Sequence, residues 1–277
     1  MPKYAYLTML GSNNYLLGTL ALNYSLNSNN TQYPLIALVT ENIDNEVRKI
    51  LKINNISYLE VPNIQLENKK GNKKEYRHWE NTFSKLTIFG MTQFDKIIFL
   101  DSDMLVMDNI DELFNKKNLS AVVAGKSFPG NKNWVDLNSG VMVIEPKDGE
   151  DKRLIKLMNS ISSLDNIGDQ DVIQRAYPNW KNIKKLHLSE EYNVFAPYEP
   201  YYINAGKVNT VKIVHFVGEK KPWNMNKYEK FRYIMKVAYL TIRASKSLKG
   251  LRKFINDYNY YEKIYNTVMK NVHWNDV

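Results

Sequence analysis

The stretch "KIIFLDSDMLV", Lys96 to Val106, runs an apolar segment of strand character into two acids one residue apart. Ile97, Ile98, Phe99 and Leu100 read as a strand buried on both faces, and such strands belong to parallel sheets covered by helices. Side chains alternate along a strand, so Asp101 and Asp103 are expected on one face at its carboxyl end, with Ser102 turned from them. Ligands of open α/β sheets bind beyond that end. Two carboxylates placed there can grip one cation.

The sequence around this strand alternates in the same sense. "YAYLTML", "NYLLGTLALNYSL", "PLIALVT", "IDNEVRKILKIN" and "ISYLEVP" read in turn as strand, helix, strand, helix and strand, with Leu16, Leu17, Leu20 and Tyr24 at helical spacing. "NTFSKLTIFGM" reads as a helix, "AVVAG" and "SGVMVIEP" as strands, and "DKRLIKLMNSI" as another helix. The pattern predicts an α/β fold with a mainly parallel central sheet and helices on both faces. Between Gln65 and His78 it dissolves into a polar, basic surface loop. From about Met225 the composition turns basic and aromatic, which divides the chain into a main domain, 1–227, and a helical C-terminal extension, 228–277.

A chain of 277 residues suits one large domain with a substantial core. Its formal charge of +9 favours anionic partners. Cysteine is absent, which excludes disulfides and thiolate metal sites and leaves carboxylates, imidazoles and backbone oxygens as metal ligands. The amino terminus carries neither a signal h-region nor a membrane span, so a soluble, cytoplasmic protein is expected. "KKGNKKEYRHW" offers lysines beside Tyr76 and Trp79, the charge and stacking of a nucleic-acid contact. No nucleic-acid-binding module surrounds it, so it is read as a solvated loop over the site and no nucleic-acid partner is expected.

An apolar strand ending in D-x-D fits two phosphate chemistries. Magnesium-dependent phosphatases of the haloacid-dehalogenase type use D-x-D-x-T or D-x-D-x-V, but here the fifth position is Leu105, and the acids follow a long alternating region instead of opening it. Transfer of a sugar from a nucleotide diphosphate instead needs a divalent ion to neutralise the leaving diphosphate. That ion calls for a third ligand. "VKIVHFVGEKKPW", residues 211 to 223, delivers His215 from an apolar run, followed by Gly218 for close backbone approach to phosphate and Lys221 as a point charge. Imidazole beside carboxylates suits manganese or iron better than magnesium, although a histidine in an apolar run is more often an ordinary core residue.

Taken in order, "FLDSDMLVMDNIDELF", "NSGVMVIEP", "GDQDVIQ" and "HFVGEKKPW" resemble the glycogenin-like members of glycosyltransferase family 8, from the first strand to about Trp223. The resemblance implies a GT-A fold with a small mixed second sheet, and retaining transfer of a hexose, glucose in the type case, from a UDP-sugar. It implies that Asp101, Asp103 and His215 hold manganese, with Ser102 beside them. Met9, Leu10, Gly11 and Ser12 would meet uridine through the backbone and Tyr15 would stack on uracil. Arg77 and Lys85 match a family arginine and lysine near the donor, at a spacing one residue shorter here. Asn138 and Ser139 would contact the sugar, Asp169 and Gln170 would lie near the anomeric carbon, and Gly218 and Lys221 would face the diphosphate. The lesser alternative for Asp169 is a helix N-cap of "QDVIQRA". Asn166 stands where the family often has an aspartate, with Asp165 beside it, a departure that bears on which sugar is preferred.

The resemblance also implies an acceptor hydroxyl on a glycan or protein, glycogenin's own tyrosine being one, and Tyr198, Tyr201 and Tyr202 lie in the corresponding segment. It implies a homodimer. The tail interleaves aromatics with Lys and Arg, as a helix packed on the body or a second subunit does, and also as one lying on an anionic membrane. A protein that binds sugar nucleotides with little catalysis is the reading from another class.

Overall fold

The computed structural model describes residues 3–65, 83–161, 167–247 and 250–271. Arg77, Asp165 and Asn166 lie outside them. The first half alternates as expected: β1 (Tyr4–Leu10), α1 (Leu16–Ser28), β2 (Leu35–Val39), α2 (Asn45–Ile53) and β3 (Ser57–Glu60), then β4 (Lys96–Leu100) and β5 (Met104–Val106). There follow β6 (Ser120–Val122), β7 (Asn138–Ile144), α3 (Glu150–Ser160), α4 (Asp169–Ala176), β8 (His187–Leu188), β9 (Val194–Phe195), α5 (Glu199–Asn204) and β10 (Ile213–His215). Two long helices close the chain, α6 (Lys227–Ser245) and α7 (Leu251–Asn271).

Seven strands form the central sheet in the order β3-β2-β1-β4-β7-β6-β8. The first four run parallel, and β7 opposes both its neighbours, so β7 alone is reversed. Both faces are buried. Leu7, Ile97 and Phe99 meet α3, α4 and Phe83–Gly90 on one side, whereas Tyr6, Ile98 and Leu100 meet α1 on the other. A smaller mixed sheet, β5-β10-β9, stands beside this one, with β10 antiparallel to β5 and parallel to β9.

The helix expected at "NTFSKLTIFGM" is present as a 3-10 helix, Phe83–Gly90, with every residue from Phe83 to Phe89, Lys85 included, buried. One expectation is corrected. The acids do not share one strand: β4 ends at Leu100, and residues 101–103 form the passage from the large sheet into the small one.

The tail is partly built into the body. Phe254, Tyr258, Tyr261 and Tyr265 of α7 enter the cluster that holds Leu16, Leu20, Leu105 and Val214. Among the described residues no helix is long and apolar enough to cross a membrane.

Candidate active site

The acid pair sits where two sheets are spliced. Asp101 N–H still bonds to Gly140 O of β7 at 2.9 Å, as a residue of the large sheet would, while Asp103 O accepts from Phe216 N–H at 3.0 Å, just past β10. The carboxylates therefore converge because the chain turns between sheets. Register does the rest. β10 pairs His215 with Met104, which brings the imidazole beside Asp103. One ligand atom from each of Asp101, Asp103 and His215 lies within 4.8 Å of the others.

Cations surround this cluster. Lys85 Nζ lies 2.9 Å from both Asp101 Oδ1 and Asp169 Oδ2 and 4.6 Å from the Phe99 ring centre. Lys221 Nζ bonds to Asp103 Oδ2 at 2.5 Å and to Phe216 O at 2.7 Å. It reaches them because Gly218, at φ +99°, turns the chain back; added side-chain bulk there would meet open space, so the backbone conformation is what requires glycine. Burial disfavours the Lys85 ammonium, but Asp101 and Asp169 outweigh it and hold its pKa above the usual range. Burial likewise works to raise Asp103, yet His215 and Lys221 hold its carboxyl well below the ordinary value. Asp101 is pushed up by burial, only partly offset by Lys85.

With the His215 imidazole neutral, as a metal ligand must be, three carboxylates (Asp101, Asp103, Asp169) against two ammoniums (Lys85, Lys221) leave 2 − 3 = −1. Adding one divalent ion gives +1, a balance suited to an incoming nucleoside diphosphate. The imidazole is oriented for that ion. Gly140 N–H donates to Asn138 Oδ1 at 3.0 Å and Ser139 N–H to Gln170 Oε1 at 3.2 Å. Backbone N–H groups only donate, so they fix both amides. Asn193 Nδ2 then donates to Asn138 Oδ1 at 2.8 Å, which leaves Asn193 Oδ1 facing His215 Nδ1 at 2.9 Å. Nδ1 must carry the hydrogen, and Nε2 is the nitrogen presented to Asp103 Oδ1 (3.2 Å) and Asp101 Oδ2 (3.9 Å). The donor set fits a divalent cation.

The remaining expected residues fall around this centre. Asp169 opens α4 but does not cap it: Asp171 accepts from Gly168 N–H at 2.8 Å, which leaves the Asp169 carboxylate to Lys85. Asn138 Nδ2 donates to Gln170 Oε1 at 2.9 Å, so that oxygen is already taken from two sides. Ser139 and Ser102 are buried, as are Met9 and Leu10, which can offer a ligand only backbone atoms. Ser12 makes no side-chain cap bond to the turn it precedes. Tyr15 lies edge-on to Trp223 at 6.1 Å and 5.8 Å below Lys221 Nζ, and burial together with Asp103 and Asp101 raises its pKa to about 12. A cavity of about 770 Å³ opens nearby between Asn14, Leu17, Glu46 and Trp223; none of the three candidate metal ligands lines it.

Tyr202 is not placed as an acceptor. It is fully buried, and its hydroxyl donates to Glu190. Tyr198 and Tyr201 are half-buried against Phe128, and Phe195 links Tyr198 to His215 through ring contacts of 5.9 and 5.5 Å. Asn193, Gly18 and Gly140 escape the sequence reading. A Cβ on Gly18 would lie 2.3 Å from Ser102 O, and one on Gly140 would lie 2.9 Å from His215 Cε1, so both glycines admit the close approach that forms the site. A glycine inside a helix pattern and one inside a strand pattern were the available signals.

The Glycosyl transferase family 8 profile matches residues 6–227, from β1 through the His215–Lys221 segment. The chain belongs to this family. It is 32% identical to glycogenin-1 of Homo sapiens over 234 residues, covering 81% of this chain and 63% of that protein. It is 28% identical to "Uncharacterized protein R707" of Acanthamoeba polyphaga mimivirus over 305 residues, covering 100% of this chain and 99% of that one. Among solved structures, galactosyltransferase LgtC in complex with donor and acceptor sugar analogues superposes with a TM-score of 0.56 at 18% identity, over 89% of this chain and 99% of that one, a likeness of fold. The protein is thus a glycogenin-like member of glycosyltransferase family 8 with a GT-A fold and a candidate Asp-x-Asp metal site. Family membership sets aside the phosphatase reading.

Proposed function

We propose that this family 8 enzyme is a manganese-dependent, retaining transferase that moves a hexose, glucose first, from a UDP-sugar to a hydroxyl acceptor. The observation that carries the reading is the convergence of Asp101, Asp103 and His215 within 4.8 Å, flanked by Lys85 and Lys221. Those three residues would hold the ion, which when bound supplies positive charge to the diphosphate oxygens. The mixed oxygen and nitrogen donors favour manganese over magnesium.

Residues 1–227 form the catalytic unit in this reading. Tyr15 offers a ring to the base, and Lys221, already poised over the Tyr15 ring, brings a point charge to the departing diphosphate. Lys85 holds Asp101 and Asp169 together and keeps like charges in one place. The Asp169 carboxylate is engaged by Lys85 at 2.9 Å, a poor state for a nucleophile, which supports entry of the acceptor on the face the diphosphate leaves. Tyr198 and Tyr201 are the candidates for a self-acceptor, and an external glycan is the alternative.

The test is to incubate the protein with manganese and a panel of UDP-sugars, following UDP release and intact mass together. Manganese-dependent UDP release that Asp101→Asn abolishes is the expected result. Added hexose on the chain would assign the acceptor to the protein itself. Absence of release with every sugar and acceptor offered, while UDP-sugar still binds, would replace the enzyme by a sugar-nucleotide-binding protein.

A further inference from the structure

The family match ends at residue 227, where α6 begins. Half of this helix behaves as a globular helix should. Val237, Ala238 and Thr241 are buried, and the helix packs on α5 and residues 196–198. The other face is unusual. Tyr228, Phe231, Met235, Tyr239 and Ile242 are 67, 60, 53, 61 and 46% exposed. At 100° per residue these five fall within an arc of about 80°, a stripe about 21 Å long.

The remaining exposed positions of α6 are Lys227, Arg232, Lys236 and Arg243. No exposed residue of the helix is acidic. Glu229, its one acid, is only partly accessible and is paired with Lys220 at 2.7 Å. Arg232 lies 5.8 Å from the Tyr228 ring centre, so cations flank the stripe closely. A face that is only apolar or cationic chooses its partner by charge. A second copy of the helix would bring cations against cations with no acid to meet them. An anionic lipid surface meets both demands: the stripe enters the boundary between headgroups and chains, and the long Lys and Arg side chains reach back to the phosphates. Each such cation multiplies binding by about fivefold at an anionic leaflet.

We infer that α6 docks the protein peripherally on an anionic membrane surface through Tyr228, Phe231, Met235, Tyr239 and Ile242. The inference does not depend on the donor or acceptor proposed above.

The experiment is flotation of the full chain with vesicles of phosphatidylcholine alone and with about a third phosphatidylserine. Binding to the anionic vesicles at least about tenfold above the neutral ones, weakened by added salt, is expected. Phe231→Ser with Met235→Ser and Tyr239→Ser should lose that binding, while Arg232→Gln with Lys236→Gln and Arg243→Gln should lose only the preference for anionic lipid. All six positions are exposed, so unchanged circular dichroism is expected of both variants. Anionic binding that survives the serine variant would reduce the contact to adsorption of a +9 protein and overturn the proposal. No vesicle binding, with a concentration-dependent dimer that the serine variant breaks, would make the face a self-interface. Binding to polyglutamate but to no vesicle would give it to an acidic protein.

Discussion

The two carboxylates of the site are two residues apart, yet they belong to different regions of the molecule. Asp101 is tied by its N–H to the large sheet and shares Lys85 with Asp169, whereas Asp103 is tied by its carbonyl to the segment just past the small sheet's β10 and has Lys221 and His215. Burial pushes Asp101 up, while the partners of Asp103 overcome burial and hold it down. A cation shared by two acids is not stranded when one of them goes. A buried cation with one acid is. Both acids are proposed ligands of one ion, so the difference between the regions should show in stability more than in turnover.

Substituting each acid breaks that comparison most sharply. Asp103→Asn and Asp101→Asn should each lower kcat by about a thousandfold, since each would remove a ligand of the divalent ion that neutralises the departing diphosphate. Asp103→Asn should also destabilise by about 3–5 kcal/mol, because Lys221, 4% exposed, loses the carboxylate that balances its charge and keeps only neutral partners such as Phe216 O. Asp101→Asn leaves Lys85 with Asp169 and should cost clearly less. Denaturant unfolding of both variants beside their kinetics decides it, and equal losses of stability would dissolve the distinction.

The small-sheet side can be sharpened through Asn193, which touches His215 and no other member of the metal cluster. Asn193→Leu keeps the volume but removes the acceptor at Nδ1, which frees the imidazole to change tautomer. Manganese affinity, read by titration calorimetry, should fall about 10- to 100-fold, and nitrogen chemical shifts of His215 should lose their Nδ1–H signature. Asn193→Asp, which still accepts from Nδ1, should restore the tautomer. An unchanged tautomer in Asn193→Leu would reduce this residue to packing.

The same division governs what was legible in the sequence. β1 and β4 have the bounds of "YAYLTML" and "KIIFL", because a run of five to seven residues, all but one of them apolar, suffices to mark a buried strand. The small sheet is made of strands of three, two and three residues, too short to display any period. His215 was therefore a candidate from its apolar run and the ion's need for a third ligand, and the resemblance supplied the support that the pattern lacked, while Asn193, which acts across that sheet, left no spacing to read. The turn at residues 101–103 looked like continued strand because alternation and a change of sheet both bring the acids together. α6 and α7 share the same mixture of aromatic and basic residues, so composition could not reveal that α7 buries Tyr258, Tyr261 and Tyr265 while α6 exposes its stripe.

What seats α7 behind the site is itself titratable. Tyr261 and Tyr265 pack on Phe216, and Tyr265 on Trp223, so α7 backs the segment that carries His215 and Lys221. Tyr261 donates to Glu199 Oε1 and Oε2 at 3.0 and 3.1 Å. Burial first, and Asp257 second, raise the Glu199 pKa to about 8, against the lowering pull of Tyr261 and Lys253. The folded chain then binds one proton more than the unfolded chain between the ordinary carboxylate value and about 8. Its stabilising effect is complete below that window and is lost as pH rises through it. Unfolding free energy should therefore fall by about 1 kcal/mol between pH 7 and 8 from this group alone. Glu199→Gln, which still accepts from Tyr261 and donates to Asp257 without titrating, should remove that slope. A variant that keeps the whole slope would show that α7 is held by its apolar contacts and owes nothing to the Glu199 proton.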